Sequence, residues 1–191
     1  TYTIQATDGV GCSITSVLTV SNPASPNITS INPVNVLCYG NNNGSIQTIA
    51  SGGTGALTYT LSPIATSNST GNFINLFANN YTVSVTDASG CSATSNIVLT
   101  QPPLLAWDSV NHRDISCYGG SNGLVASSAS GGNGTITYQL LPSGATNFSG
   151  AFFGLAMGNY TINATDQNGC MVTATFYINQ GPPINWNTAS T

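Results

Sequence analysis

Three sets of residues in this 191-residue sequence have types and spacings that could carry chemistry. The first is Asp108-Ser109-Val110-Asn111-His112-Arg113-Asp114, which holds the only His and the only Arg and contains the ingredients of a Ser/His/Asp hydrolase. A triad requires serine to meet imidazole and imidazole to meet carboxylate. Residues this close in an extended segment alternate faces and do not converge, so the run reads as a solvated inter-strand segment and no catalytic residue is assigned. The second set is Asp8, Asp87 and Asp166, each in a D-x-x-G-C turn. Calcium takes about six to eight oxygens, several from carboxylates, and each turn offers one carboxylate. An Asx turn, in which Asp bonds the backbone ahead of it, accounts for the recurrence, so no metal and no cofactor is assigned. The third set is five cysteines at 12, 38, 91, 117 and 170. None has C-x-x-C metal spacing, which points to disulfides and an oxidising compartment.

An internal repeat positions all three sets. TYTIQATDGVGC (Thr1 to Cys12) returns as YTVSVTDASGC (Tyr81 to Cys91) and as YTINATDQNGC (Tyr160 to Cys170). The cysteine offsets are equal, 91 − 12 = 79 and 170 − 91 = 79. Cys38-Tyr39-Gly40 becomes Cys117-Tyr118-Gly119, Ser51-Gly52-Gly53 becomes Ser130-Gly131-Gly132, and Trp107 becomes Trp186, all at the same step. Boundaries fall at proline-bearing joins. The expected units are 1–22, the C-terminal hairpin of a preceding repeat; 23–101 and 102–180, two complete repeats; and 181–191, the start of the next. The chain opens in strand-like sequence, so its natural N-terminus is expected upstream.

Within a repeat the pattern is that of strands. Tyr81, Val83 and Val85 alternate with Thr82, Ser84 and Thr86, placing apolar groups on one face and hydroxyls on the other. Ile97, Val98 and Leu99 supply the partner strand, with Asp87-Ala88-Ser89-Gly90 as the turn. Further strands are expected at Ser45 to Ala50, Leu57 to Leu61, Phe73 to Leu76 and in the segment leading to Cys38. Many short strands without a helical stripe predict an all-β fold of tandem immunoglobulin-like β-sandwich repeats with a period of 79 residues.

The repeat leaves two regular pairings of the cysteines. Either each unit closes on itself, Cys38 with Cys91 and Cys117 with Cys170, or links cross a join, Cys12 with Cys38 and Cys91 with Cys117. The intra-unit pairing is preferred, because a small sandwich buries little surface and gains most from a staple within itself. Cys12 then has its partner upstream.

Charged residues make up 3% of the chain, with no Lys and no Glu, and the net charge is −4. Without a basic cluster there is nothing to neutralise phosphates, so nucleic acid is not an expected partner, nor is an anionic membrane surface. No apolar run of about 18 residues could span a bilayer.

C-Y-G-x-x-N-G near the start of a unit, S-G-G before a T-Y strand and Y-T-[VI]-x-[VA]-T-D-x-x-G-C near its end resemble the SprB-type repeat of large gliding-motility and cell-surface adhesins exported by type IX secretion. The resemblance implies a non-enzymatic, extracellular or cell-surface chain, a stalk or filament segment. Its partners would be neighbouring repeats of the same chain, identical chains in a filament, or surface glycans. Asp108-Ser109-Val110 resembles the O-glycosylation acceptor of exported proteins in the same bacteria, which makes Ser109 a candidate. Asn27, Asn68, Asn80, Asn147 and Asn159 head sequons expected by chance in so Asn/Thr-rich a chain. Tyr39, Tyr59, Tyr81, Phe73 and their counterparts could line a sugar site but recur with the core pattern and are expected inside. For ice, a flat hydroxyl array would be needed, and Thr82, Ser84 and Thr86 have nothing comparable expected on neighbouring strands.

Overall fold

The computed structural model describes residues 1–22 and 24–186. Pro23 and the end of the expected 181–191 segment lie outside the described residues. Backbone contacts divide the chain into two compact units. One comprises residues 1–32, 46–73 and 80–97; the other comprises 33–45, 74–79 and 98–191.

The described residues form strands and no helix, as the two-residue periodicity requires. After a hairpin of β1 (Tyr2–Thr7) and β2 (Ser13–Leu18) come β3 (Pro26–Val34), β4 (Gly44–Gly52), β5 (Thr58–Ser62), β6 (Thr66–Asn68), β7 (Asn72–Leu76), β8 (Asn79–Thr86) and β9 (Ser92–Leu99). The same series returns as β10 (Ala106–Arg113), β11 (Gly123–Ser130), β12 (Thr137–Leu141), β13 (Ala145–Asn147), β14 (Ala151–Leu155), β15 (Gly158–Thr165) and β16 (Met171–Ile178). Each series of seven makes a three-stranded and a four-stranded sheet, in the orders β3-β4-β7 with β6-β5-β8-β9 and β10-β11-β14 with β13-β12-β15-β16. The chain crosses from one sheet to the other after the second strand and twice more, the Greek-key winding of an immunoglobulin-like sandwich. The short strands β6 and β13 carry no apolar alternation and were not expected from sequence.

Inward-facing side chains of both sheets close the second sandwich. Val125, Tyr138, Leu140, Phe152, Leu155, Ile162, Ala164 and Ile178 form one buried cluster with Ile115. The residues one step earlier, Ile46, Tyr59, Leu61, Phe73, Leu76, Val83, Val85, Leu99 and Val36, are buried too. Burial of such side chains is worth about 1.5–3 kcal/mol each, which is why these positions repeat. The β1–β2 hairpin keeps the pattern without the burial: Tyr2 and Ile4 are 64% and 60% exposed, against 3% and 0% for Tyr81 and Val83.

A glycine in each sandwich is fixed by a close crossing. Gly150 takes φ +69, and a Cβ there would run into the Ser127 carbonyl oxygen, while the Ser127 N–H donates to the Gly150 carbonyl at 3.0 Å. Gly71 stands in the same way against Thr48 and the Tyr59 ring, at φ +70. Gly150→Ala is expected to cost about 2–4 kcal/mol by combining left-handed strain with overpacking. Gly144→Ala, at φ +74 but with nothing within 4 Å, should cost only about 1 kcal/mol. Equal denaturation midpoints for the two variants would contradict the crossing argument.

Candidate functional site: the aspartate turn and the cysteine loop

The D-x-x-G-C turn is built around its carboxylate. Asp166 Oδ1 accepts from the N–H groups of Asn168 and Cys170, both at 2.9 Å, and Oδ2 accepts from Asn133 N–H at 2.7 Å. The first two bonds shape the turn; the third ties it to the S-G-G loop. That loop can come so close because Gly132 has no side chain: a Cβ would lie 2.6 Å from Asp166 Oδ2. Asp87 repeats the arrangement with Ser89, Cys91 and Thr54 as donors at 2.9, 2.9 and 2.8 Å. Asp8 holds Val10 and Cys12 at 3.0 and 2.9 Å. These carboxylates thus make the expected Asx turns. Donation from Thr54 above all, with Cys91, Ser89 and Gly90 adding to it, holds the Asp87 carboxyl below its ordinary 3.8 against the opposing effect of burial.

The C-Y-G loop is held as closely. Cys117 carbonyl accepts from Gly120 N–H at 3.0 Å, Asn122 Oδ1 from Ser116 N–H at 3.1 Å, and Gln180 Oε1 from Gly119 N–H at 2.8 Å. One step earlier Cys38 with Asn41, Asn43 with Leu37 and Gln101 with Gly40 make the same bonds at 3.1, 3.0 and 2.8 Å. The glutamine that opens each proline-bearing join therefore anchors the cysteine loop of its own repeat. Beside it, Ile115 N–H donates to Asn179 carbonyl at 2.9 Å.

These bonds place the two cysteines of a repeat at opposite ends of its sandwich. Cys170 precedes the first residue of β16, whereas the Cys117 loop is fastened to Asn179 and Gln180, just past its last. The eight residues of β16 lie between them, about 27 Å at the rise of a strand. A disulfide tolerates a Cα separation of about 7 Å at most. The preferred intra-unit pairing is accordingly corrected, and so is the cross-join alternative: the structure joins Cys38 to Cys170, 132 residues apart with Cα atoms at 5.7 Å, and leaves Cys12, Cys91 and Cys117 as free thiols. Both bonded cysteines lie in the second compact unit. Asn168 Nδ2 adds a bond of 2.8 Å to the Leu37 carbonyl next to the disulfide.

The remaining candidates do not gather. The segment holding His112 is not an inter-strand connection but strand β10, paired with β11 through a bulge between Trp107 and Ser109. His112 stacks on Phe176 at 5.4 Å. Asp108 accepts from Ser128 and Ser130 hydroxyls at 3.2 and 2.6 Å, Asp114 accepts from Asn179 N–H at 2.9 Å, and Ser109 is half-buried. Asn68 and Asn147 are turn residues, each accepting two N–H bonds and donating one, the last at 2.9 and 2.8 Å to Asn72 and Ala151. Of the aromatic set, Tyr59, Tyr81 and Phe73 are core, but Tyr39 and Tyr118 are 53% and 59% exposed on the cysteine loops. The hydroxyls of β8 do have company: Thr58, Thr60 and Ser62 of β5 face Thr86, Ser84 and Thr82 directly.

Fold and turns together define a tandem immunoglobulin-like β-sandwich protein. The family model for the SprB repeat matches two regions of the chain, residues 30–66 and 109–145. Among solved structures, the C-terminal 282-residue fragment of intimin in complex with the intimin-binding domain of its translocated receptor is 15% identical, covers 78% of this chain and 63% of its own, and has a TM-score of 0.45. The N-terminal eight immunoglobulin domains of Down syndrome cell adhesion molecule isoform 1.30.30 give 16%, 95%, 28% and 0.47. Surface layer protein SbsC, domains 4–9, gives 14%, 83%, 31% and 0.31. The chain thus spans less than two thirds of each of these structures. No curated protein matches it.

Asp166→Ala strands three N–H groups and is expected to lower the unfolding free energy by about 2–4 kcal/mol; a loss under about 0.5 kcal/mol in denaturant titration would refute the clamp. Because the folded Asp87 carboxyl lies below its unfolded value, its contribution is complete above about pH 4 and is lost as pH falls through the folded value. The melting temperature should drop on acidification below about pH 4, less steeply in Asp87→Asn.

Proposed function

We propose that this chain is a structural and adhesive stalk segment of a large extracellular surface adhesin, in which sandwiches in series hold a distal part of the protein away from the cell. The observation that carries the reading is the gap-free 79-residue recurrence of strands, core positions and loop hydrogen bonds alike. A function built on reach asks for a unit that repeats, and stacked repeats of one kind supply length in proportion to their number. Residues 23–101 and 102–180 are taken as the repeating units, joined by the short links at Gln101-Pro102-Pro103 and Gln180-Gly181-Pro182-Pro183. Neither link contains a flexible stretch, which limits bending between modules. Type IX export and gliding motility are part of the same proposal and rest on the SprB resemblance.

A second reading, direct binding of carbohydrate, is favoured by one observation. Across β5 and β8 three hydroxyl pairs, Thr58 with Thr86, Thr60 with Ser84 and Ser62 with Thr82, stand on the outward face. The ladder is broken in the next repeat, where the equivalent pairs include Gln139 with Asn163 and Leu141 with Thr161.

Electron microscopy of the native surface material is expected to show isolated thin threads. Bundled helical fibres would replace the single stalk with a filament of identical chains. On a glycan array, binding that is lost in Thr60→Val would support the second reading, and silence across the array would remove it.

A further inference from the structure

Each repeat presents one cysteine at each end, and the ends are defined by where the chain enters and leaves. On entry to the second repeat, Pro103 carbonyl accepts from Gly132 N–H at 3.0 Å, and a Cβ on Gly131 would run into Leu104 carbonyl. Gly132 is the glycine that covers Asp166. The entry segment therefore lies beside the S-G-G loop and the D-x-x-G-C turn, and the entry end carries Cys170. On exit, Asn179 and Gln180 hold the C-Y-G loop, so the exit end carries Cys117. The first repeat is wired alike. A Cβ on Gly52 would stand 3.1 Å from the Ser25 carbonyl oxygen on entry, and Thr100 and Gln101 hold the Val36–Gly40 loop on exit.

From this we infer that SprB repeats of this kind are locked head to tail by a disulfide ladder. The C-Y-G cysteine of each repeat is bonded to the D-x-x-G-C cysteine of the next, so Cys117 is the docking point for a following repeat and Cys91 for a preceding one. Cys38–Cys170 is one rung of it. Its separation of 132 equals the spacing within a repeat, 91 − 38 = 53, increased by one 79-residue step. Applied to the rest of the chain, that rule gives every thiol left free a partner in a neighbouring repeat: Cys12 and Cys91 with C-Y-G cysteines upstream, Cys117 with a turn cysteine downstream. The free thiols match this role. Cys12 and Cys117 are exposed and Cys91 half-buried, and each sits in a loop whose backbone bonds reproduce those of a cysteine already in a rung.

The occupant of each docking point is another repeat of the same type: Cys117 takes a D-x-x-G-C turn, which presents sulfur from an entry end, and Cys91 takes a C-Y-G loop, which presents it from an exit end. Each rung forms when two thiols are oxidised to one disulfide. Two protons and two electrons pass to a small-molecule or oxidoreductase disulfide, which leaves as two thiols. The inference rests on the serial-repeat reading proposed above.

The sequence permits a test, since cleavage before Asp places Cys91, Cys117 and Cys170 in separate peptides, 87–107, 114–165 and 166–191, while 8–86 holds both Cys12 and Cys38, which fragmentation of the linked peptide tells apart. The unreduced 191-residue chain, oxidised with glutathione disulfide and alkylated, should yield 8–86 linked to 166–191 and three alkylated thiols. A second chain carries an extra copy of residues 102–180 inserted after residue 180, with that copy's own equivalent of Cys117 changed as in Cys117→Ser. Its terminal turn peptide should now be linked to 114–165, with Cys117 protected and two thiols alkylated. Linkage of 8–86 to 87–107, of 114–165 to 166–191 in the first chain, or of 87–107 to 114–165 would overturn the ladder. So would a Cys117 that stays alkylated in the longer chain. Bundled fibres under the microscope would remove the single stalk without touching this map, so the two readings fail separately.

Discussion

The carboxylate of the repeating aspartate is the group on which the rest of the module depends. With one oxygen it closes the turn between the last two strands; with the other it draws in the S-G-G loop that leads into the four-stranded sheet, leaving room for nothing larger than glycine beneath it. Two motifs far apart in sequence, Ser130-Gly131-Gly132 and Asp166 to Cys170, are thus one piece of structure. A hydrogen bond to a charged acceptor in a shielded site is roughly twice as strong as a neutral one, so a chain with five acidic residues in all places two of them where they organise the most backbone.

The same economy explains how a protein with 3% charged residues holds its loops. Amides replace ions: Asn68 and Asn147 shape the turn before the close glycine crossing, Asn43 and Asn122 close the cysteine loop from within, and Gln101 and Gln180 clamp it from the exit segment. These bonds have short reach and little salt dependence, and they recur in both complete repeats. The loops consequently present their cysteines in a fixed attitude.

That attitude turns a strand into a strut. A single strand of eight residues separates the turn cysteine from the loop cysteine, and its length alone forbids the staple that a small sandwich would otherwise be expected to favour. Stability within the module comes instead from the two-sheet core and the aspartate clamp, while the disulfide joins the C-Y-G loop of the first series of strands to the D-x-x-G-C turn of the second.

Much of this was legible from residues alone. The 79-residue step, the alternation of Tyr81, Val83 and Val85, and the Asp-x-x-Gly turn are one-dimensional signals, and they fix the strands, the Greek-key class and the Asx role of Asp87 and Asp166. The amide clamps were visible in principle as further residues recurring at the same step, though nothing in an Asn-rich sequence separates a structural asparagine from a sequon. Trp107 to Arg113 mixes polar and apolar residues around a bulge, so β10 was legible only through the repeat, as the counterpart of the strand before Cys38, and the hydroxyl pairs across β5 and β8 required the register between strands. The cysteine pairing lay beyond the sequence for a plain reason. Regular spacing restricts which cysteines are equivalent, but a bond between sulfurs is decided by distance in space. That distance is set by the length of β16 and by which end of the sandwich each loop is tied to.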